Sequence, residues 1–148
     1  MIFREAQKSD YKVIAGFQQK MAWETEHFQL DGDTVQKGVT AIFDDVSKGK
    51  YYVIEEDGKV ISSLLTTYEW SDWRNSQVIW IQSVFVLQEY RAKGVFKLMY
   101  SEIKKIVKNN PDYSGIRLYV DKTNLNAHKV YEKIGMQGEH YGLFEDML

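Results

Sequence analysis

The sequence predicts an α/β (α+β) domain with a mixed central sheet of about six to seven strands and flanking helices. Three observations carry this. Apolar runs with strand character alternate along the chain with segments of helical period. An Asp57-Gly58 pair joins two strand-like runs, a strong signal for an antiparallel hairpin. A buried-type strand at 78–87 leads through a glycine-bearing turn into a helix and then another apolar strand, so these two strands are expected to lie parallel with the helix over one face.

Element by element, Ile2 to Ala6 is a short alternating strand, with Ser9 or Asp10 available to cap the helix after it. Val13, Ile14, Phe17 and Met21 recur at helical spacing, interrupted by Gly16. Residues 21–28 then mix aromatic and acidic side chains, either as a helix end with a solvated acidic face or as a pocket wall that recognises a cation. Asp33 is the expected cap of a second helix carrying Val35, Val39, Ile42, Phe43 and Val46 and ended by Gly49. Strands follow at 50–55 and 59–67, and residues 70–76 connect to the apolar run at 78–87. Val95, Met99, Ile103, Ile106 and Val107 form the stripe of the next helix, which Asn109 to Asp112 stop, with Pro111 the only proline of the chain. Ile116 to Val120 is the next buried strand. A helix with Ala127, Val130, Tyr131 and Ile134 on one face closes at Gly135, and 136–148 supplies a last strand packed through Tyr141, Leu143 and Phe144.

The 148 residues, 44% hydrophobic, suit one core, so 1–148 is expected to be a single domain. Nineteen Lys plus Arg against 21 Asp plus Glu leave a formal charge of −2, which gives no global reason to expect nucleic acid or an anionic membrane as partner. The absence of cysteine excludes disulfides, thiol nucleophiles and thiolate metal sites. His27, His128 and His140 show no ligand spacing, so no metal is expected. Without a secretory leader or a run of about 20 apolar residues, a cytoplasmic protein is the expectation.

The turn Gln88 to Gly94 concentrates chemistry. It carries Arg91, Lys93 and Gly94 where a strand opens into a helix N-terminus, whose first amides lack intrahelical partners and whose dipole favours an anion. Arg91-x-x-Gly94 after Val84-Phe85-Val86 resembles the acyl-coenzyme A signature Q/R-x-x-G-x-G/A of the GNAT N-acetyltransferase superfamily. Phe96 stands where that pattern has Gly or Ala. Asn124-x-x-Ala127-x-x-x-Tyr131-x-x-x-Gly135-Met136 is similar to the family's second motif, with Met in place of Phe, and the element order matches the family over almost the whole chain.

The resemblance implies a splayed acyl-CoA cleft with acetyl-CoA as co-substrate. Val84, Phe85 and Val86 would meet the pantetheine arm, Arg91, Ala92, Lys93, Gly94, Val95 and Phe96 the pyrophosphate, and Asn124 the region near the pantetheine. It also implies direct transfer of acetyl to a primary amine in a ternary complex, and marks Tyr131 as the acid that protonates the departing thiolate. Tyr131 also lies on the apolar face of its helix, where it could serve packing alone. Some relatives place a glutamate early in the central strand; here Val78, Ile79, Trp80 and Ile81 occupy that stretch. Glu24 and Glu69 are the favoured base candidates, with Glu26 behind them. Trp23, Phe28, Trp73 and Tyr141 are expected to line an acceptor site for a small-molecule or peptide amine, with aromatic walls and acidic charges suited to a cation. The protein would act as monomer or homodimer. A non-catalytic acyl-CoA-binding regulatory module and a domain binding another nucleotide phosphate are the competing readings.

Overall fold

The computed structural model describes residues 1–148, which divide into two compact units, 1–118 and 119–148. The first unit holds a five-stranded sheet in the order β1-β2-β3-β4-β5, formed by β1 (Ile2–Glu5), β2 (Lys50–Glu56), β3 (Lys59–Ser71), β4 (Ser76–Val86) and β5 (Tyr113–Leu118). Its helices are α1 (Tyr11–Glu26), α2 (Gly32–Asp44) and α3 (Val95–Asn109). The second unit contains α4 (Leu125–Lys133).

β1 to β4 form an antiparallel meander, and β5 pairs parallel to β4. Asp57 and Gly58 take φ of 50° and 75°, the left-handed pair that a tight hairpin between twisted strands requires. The α3 crossover explains the parallel pairing, since a strand that returns through a helix re-enters the sheet in the same direction.

Successive strand residues face opposite sides, so the sheet has two apolar faces. On one, Tyr51, Val53 and Leu65 pack with Ile14 of α1 and Val39 of α2, and Phe17 meets Phe85 at a ring separation of 4.9 Å. On the other lies α3, where Met99 receives the Ser62 hydroxyl at 3.0 Å from its sulfur. Val95, Met99, Ile103 and Val107 are all buried along the α3 stripe, each contributing roughly 1.5–3 kcal/mol relative to exposure. Gly49, just ahead of β2, has φ of 149°, and a Cβ there would stand 2.5 Å from the Thr66 carbonyl oxygen. Only glycine lets the chain pass so close to β3.

The structure moves several expected boundaries. Asp31 rather than Asp33 caps α2, its carboxylate accepting from the Thr34 amide at 2.9 Å. Asp10 precedes α1 without capping it, and instead accepts from Arg4 at 2.8 Å and from the Gln7 amide at 2.8 Å. β5 begins at Tyr113, three residues before the expected Ile116, because the Asn110 carbonyl accepts from the Tyr113 amide at 3.1 Å and turns the chain directly into the strand. The sheet has five strands rather than six to seven. Residues 136–148 form no strand, and the side chains expected to pack there are exposed, Phe144 fully and Tyr141 by 84%. A strand exists only through a ladder partner, and residues 136–148 join no ladder. No helix is long and apolar enough to cross a membrane.

Candidate active site

The site grows from an interruption in β4. Leu65 pairs with Gln82 and Ser63 with Phe85, so three steps on β4 answer two on β3, and Ser83 takes φ of 52°. This is a β-bulge: the extra residue leaves the ladder locally broken and bends the strand. On the opposite edge, the pairing with β5 ends at Ile81 opposite Leu118. Beyond that pair, residues 82–86 have no strand neighbour on the β5 side. Their outward backbone groups form a short open edge of the kind that accepts an extended, amide-bearing ligand.

That edge runs into the turn. A 3-10 turn spans Gln88–Tyr90, Ala92 has φ of 58° and Gly94 has φ of 77°, after which α3 begins at Val95. The first intrahelical bond is from the Leu98 amide to the Gly94 carbonyl at 3.0 Å, and no side chain caps the helix. The amides of Val95 and Lys97 therefore lack acceptors within α3, at the positive end of its dipole. Nothing lies within 4 Å of where a Gly94 Cβ would stand, so glycine is needed there for its backbone angle rather than for space. The Phe96 ring runs along the helix towards Tyr100, at a centroid distance of 6.3 Å.

Arg91 ties this turn to two other segments. Its Nε donates to the Val86 carbonyl at 2.9 Å, its Nη2 reaches the Glu24 carboxylate at 2.6 Å, and its guanidinium lies 5.5 Å from the Phe85 ring centre. The Val86 carbonyl is thus already engaged by the protein's own arginine. Glu24, expected as a base, holds Arg91 from the end of α1.

Glu69 occupies a second polar group on the same sheet face as Phe85. Its Oε1 accepts from Arg117 at 2.5 Å and from the Trp80 indole at 3.2 Å, while Gln82 donates to the Thr67 hydroxyl at 2.7 Å. These side chains come from three adjacent strands and line the stretch of β3, β4 and β5 just before the bulge.

The expected acceptor residues are dispersed. Trp23, on α1, is 57% exposed and meets His27 edge to face at 5.6 Å, one residue before the equally exposed Phe28. These stand at the α1 end that Glu24 fastens to the turn. Trp73, 91% exposed, sits in the β3–β4 hairpin connection, at the other end of β4, on the order of 30 Å from Val86 by strand rise. A single pocket combining Trp73 with Trp23 is therefore corrected by the topology.

Within the second unit, Asn124 caps α4, its side-chain oxygen accepting from the Ala127 amide at 3.1 Å. Gly135, with φ of 93°, follows the helix, and the Met136 amide bonds the Tyr131 carbonyl at 3.0 Å. Tyr131 is half-buried, and burial pushes its phenol above the ordinary value. The N-x-x-A spacing of the second motif is thus also a helix-capping device. Tyr141 lies beyond α4 and is exposed.

Two functional features were not foreseen. The Ser83 bulge carries no glycine to announce it, and Arg117 could be matched to Glu69 only once the strands were in register.

Known proteins share this fold. The chain is 44% identical to a possible acetyltransferase from Clostridium difficile 630, whose crystal structure superimposes with a TM-score of 0.92 over 99% of this chain and 97% of that one. A predicted acetyltransferase from Clostridium acetobutylicum, crystallised with acetyl-CoA, has the same fold at 17% identity, with a TM-score of 0.78 over 98% of this chain and 95% of that one. N-alpha-acetyltransferase 60 of Xenopus tropicalis is 28% identical over 96 residues, 64% of this chain; the match spans only 37% of that relative's length. The model of the acetyltransferase (GNAT) family matches residues 4–136, and the chain belongs to that family.

Proposed function

We propose that the protein is an acyl-CoA-dependent N-acyltransferase that moves acetyl from acetyl-CoA to a primary amine by direct attack in a ternary complex. The observation that carries this is the open edge of β4 at residues 82–86 running straight into the uncapped start of α3. The edge suits a pantetheine arm with two amides, and the start of α3, where the Val95 and Lys97 amides have no acceptor within the helix, suits a pyrophosphate. Acetyl-CoA would bring an already activated thioester, which agrees with a chain that has no cysteine to form a covalent intermediate.

Roles follow from where groups stand along β4. With the pyrophosphate at the turn, a pantetheine laid back along the open edge brings its reacting end towards the bulge. Glu24 is held by Arg91 at the pyrophosphate end, so it positions the turn. Glu69, hydrogen-bonded to Trp80 two residues before Gln82, is the better base, acting through a water. Tyr131 gives its proton to the departing thiolate, a role supported by the second motif. Trp23, on α1, and Phe28, just past its end, form an aromatic wall for the amine.

A second reading, an acyl-CoA-binding regulatory module, draws support from the ion pairs that engage both carboxylates, Glu24 and Glu69. Incubation with acetyl-CoA and a panel of primary amines, read by release of free thiol, separates the two. Turnover with any amine supports transfer; stabilisation by acetyl-CoA with no thiol release across the panel supports the module. A melting temperature raised by ATP but not by coenzyme A would overturn both.

A further inference from the structure

A cleft of about 560 Å³ opens in the first unit at the end of β4 remote from the turn. It lies on the sheet face that carries α3. Tyr68 and Tyr113 line it, and the same two residues line a smaller hollow together with Ile79 and with Ile103, Ile106 and Val107 of α3. α3 ends at Asn109, and the cleft begins where that cover stops. By strand rise Gln77 lies about 30 Å from Val86, so the cleft is separate from the edge assigned to acyl-CoA.

Strand register builds the walls. Trp70 of β3 and Tyr113 of β5 are both paired with Gln77 of β4, one from each side. Residues directly opposite one another share a face, so the two rings rise on either side of Gln77, two strand spacings or about 10 Å apart at the backbone. Tyr68, two positions from Trp70 on the same strand, shares that face, and its ring stands 6.5 Å from that of Tyr113 at 30°. A cation held between Trp70 and Tyr113 therefore has aromatic rings on three sides, within the roughly 6 Å over which a ring quadrupole attracts positive charge. Asp112, the single charged side chain on the wall, is anionic, and the bond from the Gln77 amide to the Asp112 carbonyl at 2.9 Å fixes that residue next to β4. Lys50, in the neighbouring hollow, is paired with Glu5 at 3.2 Å. Trp70 itself is 59% exposed, a large ring that the fold leaves mostly uncovered.

We propose that this cleft binds a quaternary, N-methylated ammonium group, at a site distinct from that of acyl transfer. Asp112 and the ring faces disfavour anions. Among cations, the floor of the cleft decides. The side-chain oxygens of Ser76 and Gln77 are buried and closed to a ligand, so the floor offers it no side-chain acceptor. A primary ammonium brings three N–H donors and strong hydration, and it would give up water here for little more than Asp112. A quaternary ammonium has no N–H to satisfy, and its charge is spread over methyl groups that pack against the rings of Tyr68, Trp70 and Tyr113. A neutral group of the same shape meets the rings but leaves Asp112 unanswered.

The test is binding by the full chain at neutral pH and constant ionic strength, read by NMR through the indole signals of its four tryptophans. Trp70→Phe identifies the Trp70 signal by its loss. Three probes with one common hydroxyethyl tail are titrated separately: choline, ethanolamine as the primary ammonium, and 3,3-dimethyl-1-butanol as the neutral isostere of choline. The expected result is a saturable shift of the Trp70 indole with choline and about tenfold weaker binding of the other two. Choline binding should also weaken by about tenfold in Tyr113→Leu, which removes one wall, and by a smaller factor in Asp112→Asn. Melting temperatures close to that of the parent show that the variants fold; if Tyr113→Leu does not, the exposed Asp112→Asn decides alone. A Trp70 signal that choline does not move, equal affinity for ethanolamine or the isostere, or unchanged choline affinity in the folded variants would each overturn the proposal. No acetyl transfer is measured, so the result is independent of whether the protein proves to be a transferase.

Discussion

Arg91 and Glu24, 67 residues apart in the chain, meet at 2.6 Å and fasten the end of α1 to the turn between β4 and α3. The same guanidinium closes on the Val86 carbonyl at 2.9 Å, so one side chain sets the spacing between the helix, the strand end and the turn. Both partners are about 40% exposed, at 42% and 41%. Such a pair adds little stability, and its consequence is positional.

Glu24→Gln tests that. The melting temperature should move by only a few degrees, matching about 1 kcal/mol or less for an exposed pair. The KM for acetyl-CoA should rise while kcat holds within about threefold. A drop in kcat of about 100-fold with an unchanged KM would instead make Glu24 the base.

Glu69→Gln keeps an acceptor for the Trp80 indole but removes the charge that Arg117 faces. With Glu69 as base, kcat should fall about 100-fold. If kcat/KM for the amine falls through KM alone, Glu69 binds the acceptor rather than taking its proton.

Tyr131→Phe should lower kcat by about 10- to 100-fold with little change in acetyl-CoA affinity. Because burial raises the phenol above its ordinary value, the wild-type alkaline limb attributable to this group should lie to the alkaline side of that of a free tyrosine. Full activity in the variant would leave Tyr131 a packing residue.

Gly94→Ala separates conformation from space. Its φ of 77° disfavours any Cβ, while no atom lies within 4 Å of it. Stability should fall by about 1–2 kcal/mol, measured by urea unfolding, and Gly94→Val should cost more because a β-branched residue tolerates that angle less well. Acetyl-CoA affinity should fall in both.

Alkaline unfolding should report the packing on both faces of the sheet. Burial pushes Tyr51 and Tyr52 up to about 12. An unfolded tyrosine ionises near pH 10, so between there and pH 12 the unfolded chain binds fewer protons than the native one and stability declines as pH rises. Each tyrosine should account for a loss on the order of 3 kcal/mol across that window, with stability unaffected by these two groups below it. The Tyr51→Phe, Tyr52→Phe double variant should flatten the decline in urea unfolding measured from pH 9 to 12.

The elements of this fold were legible in the sequence because their signals are local. The α3 stripe, the Asp57-Gly58 hairpin and the strand–turn–helix at Arg91 to Val95 each depend on residues within a few positions of one another, and spacing alone exposes them. The expected strand at 136–148 failed because alternating apolar residues record a tendency, while a strand needs a partner that local pattern cannot name. Asp31 displaced Asp33 for a similar reason: two acids in one short segment are equally good caps until the backbone chooses which one can reach the Thr34 amide.

What the sequence determined by itself was the strand, the glycine turn and the helix start, since backbone angles and the helix dipole follow from nearby residues. Only the tertiary structure decided that Ser83 bulges out of register, that β5 leaves the β4 edge after Ile81, and that Arg91 engages Glu24 while Arg117 engages Glu69. The two ion pairs join residues 67 and 48 positions apart. Strand pairing and helix packing bring them together, and side-chain chemistry then selects the partners from whatever the fold has placed within reach.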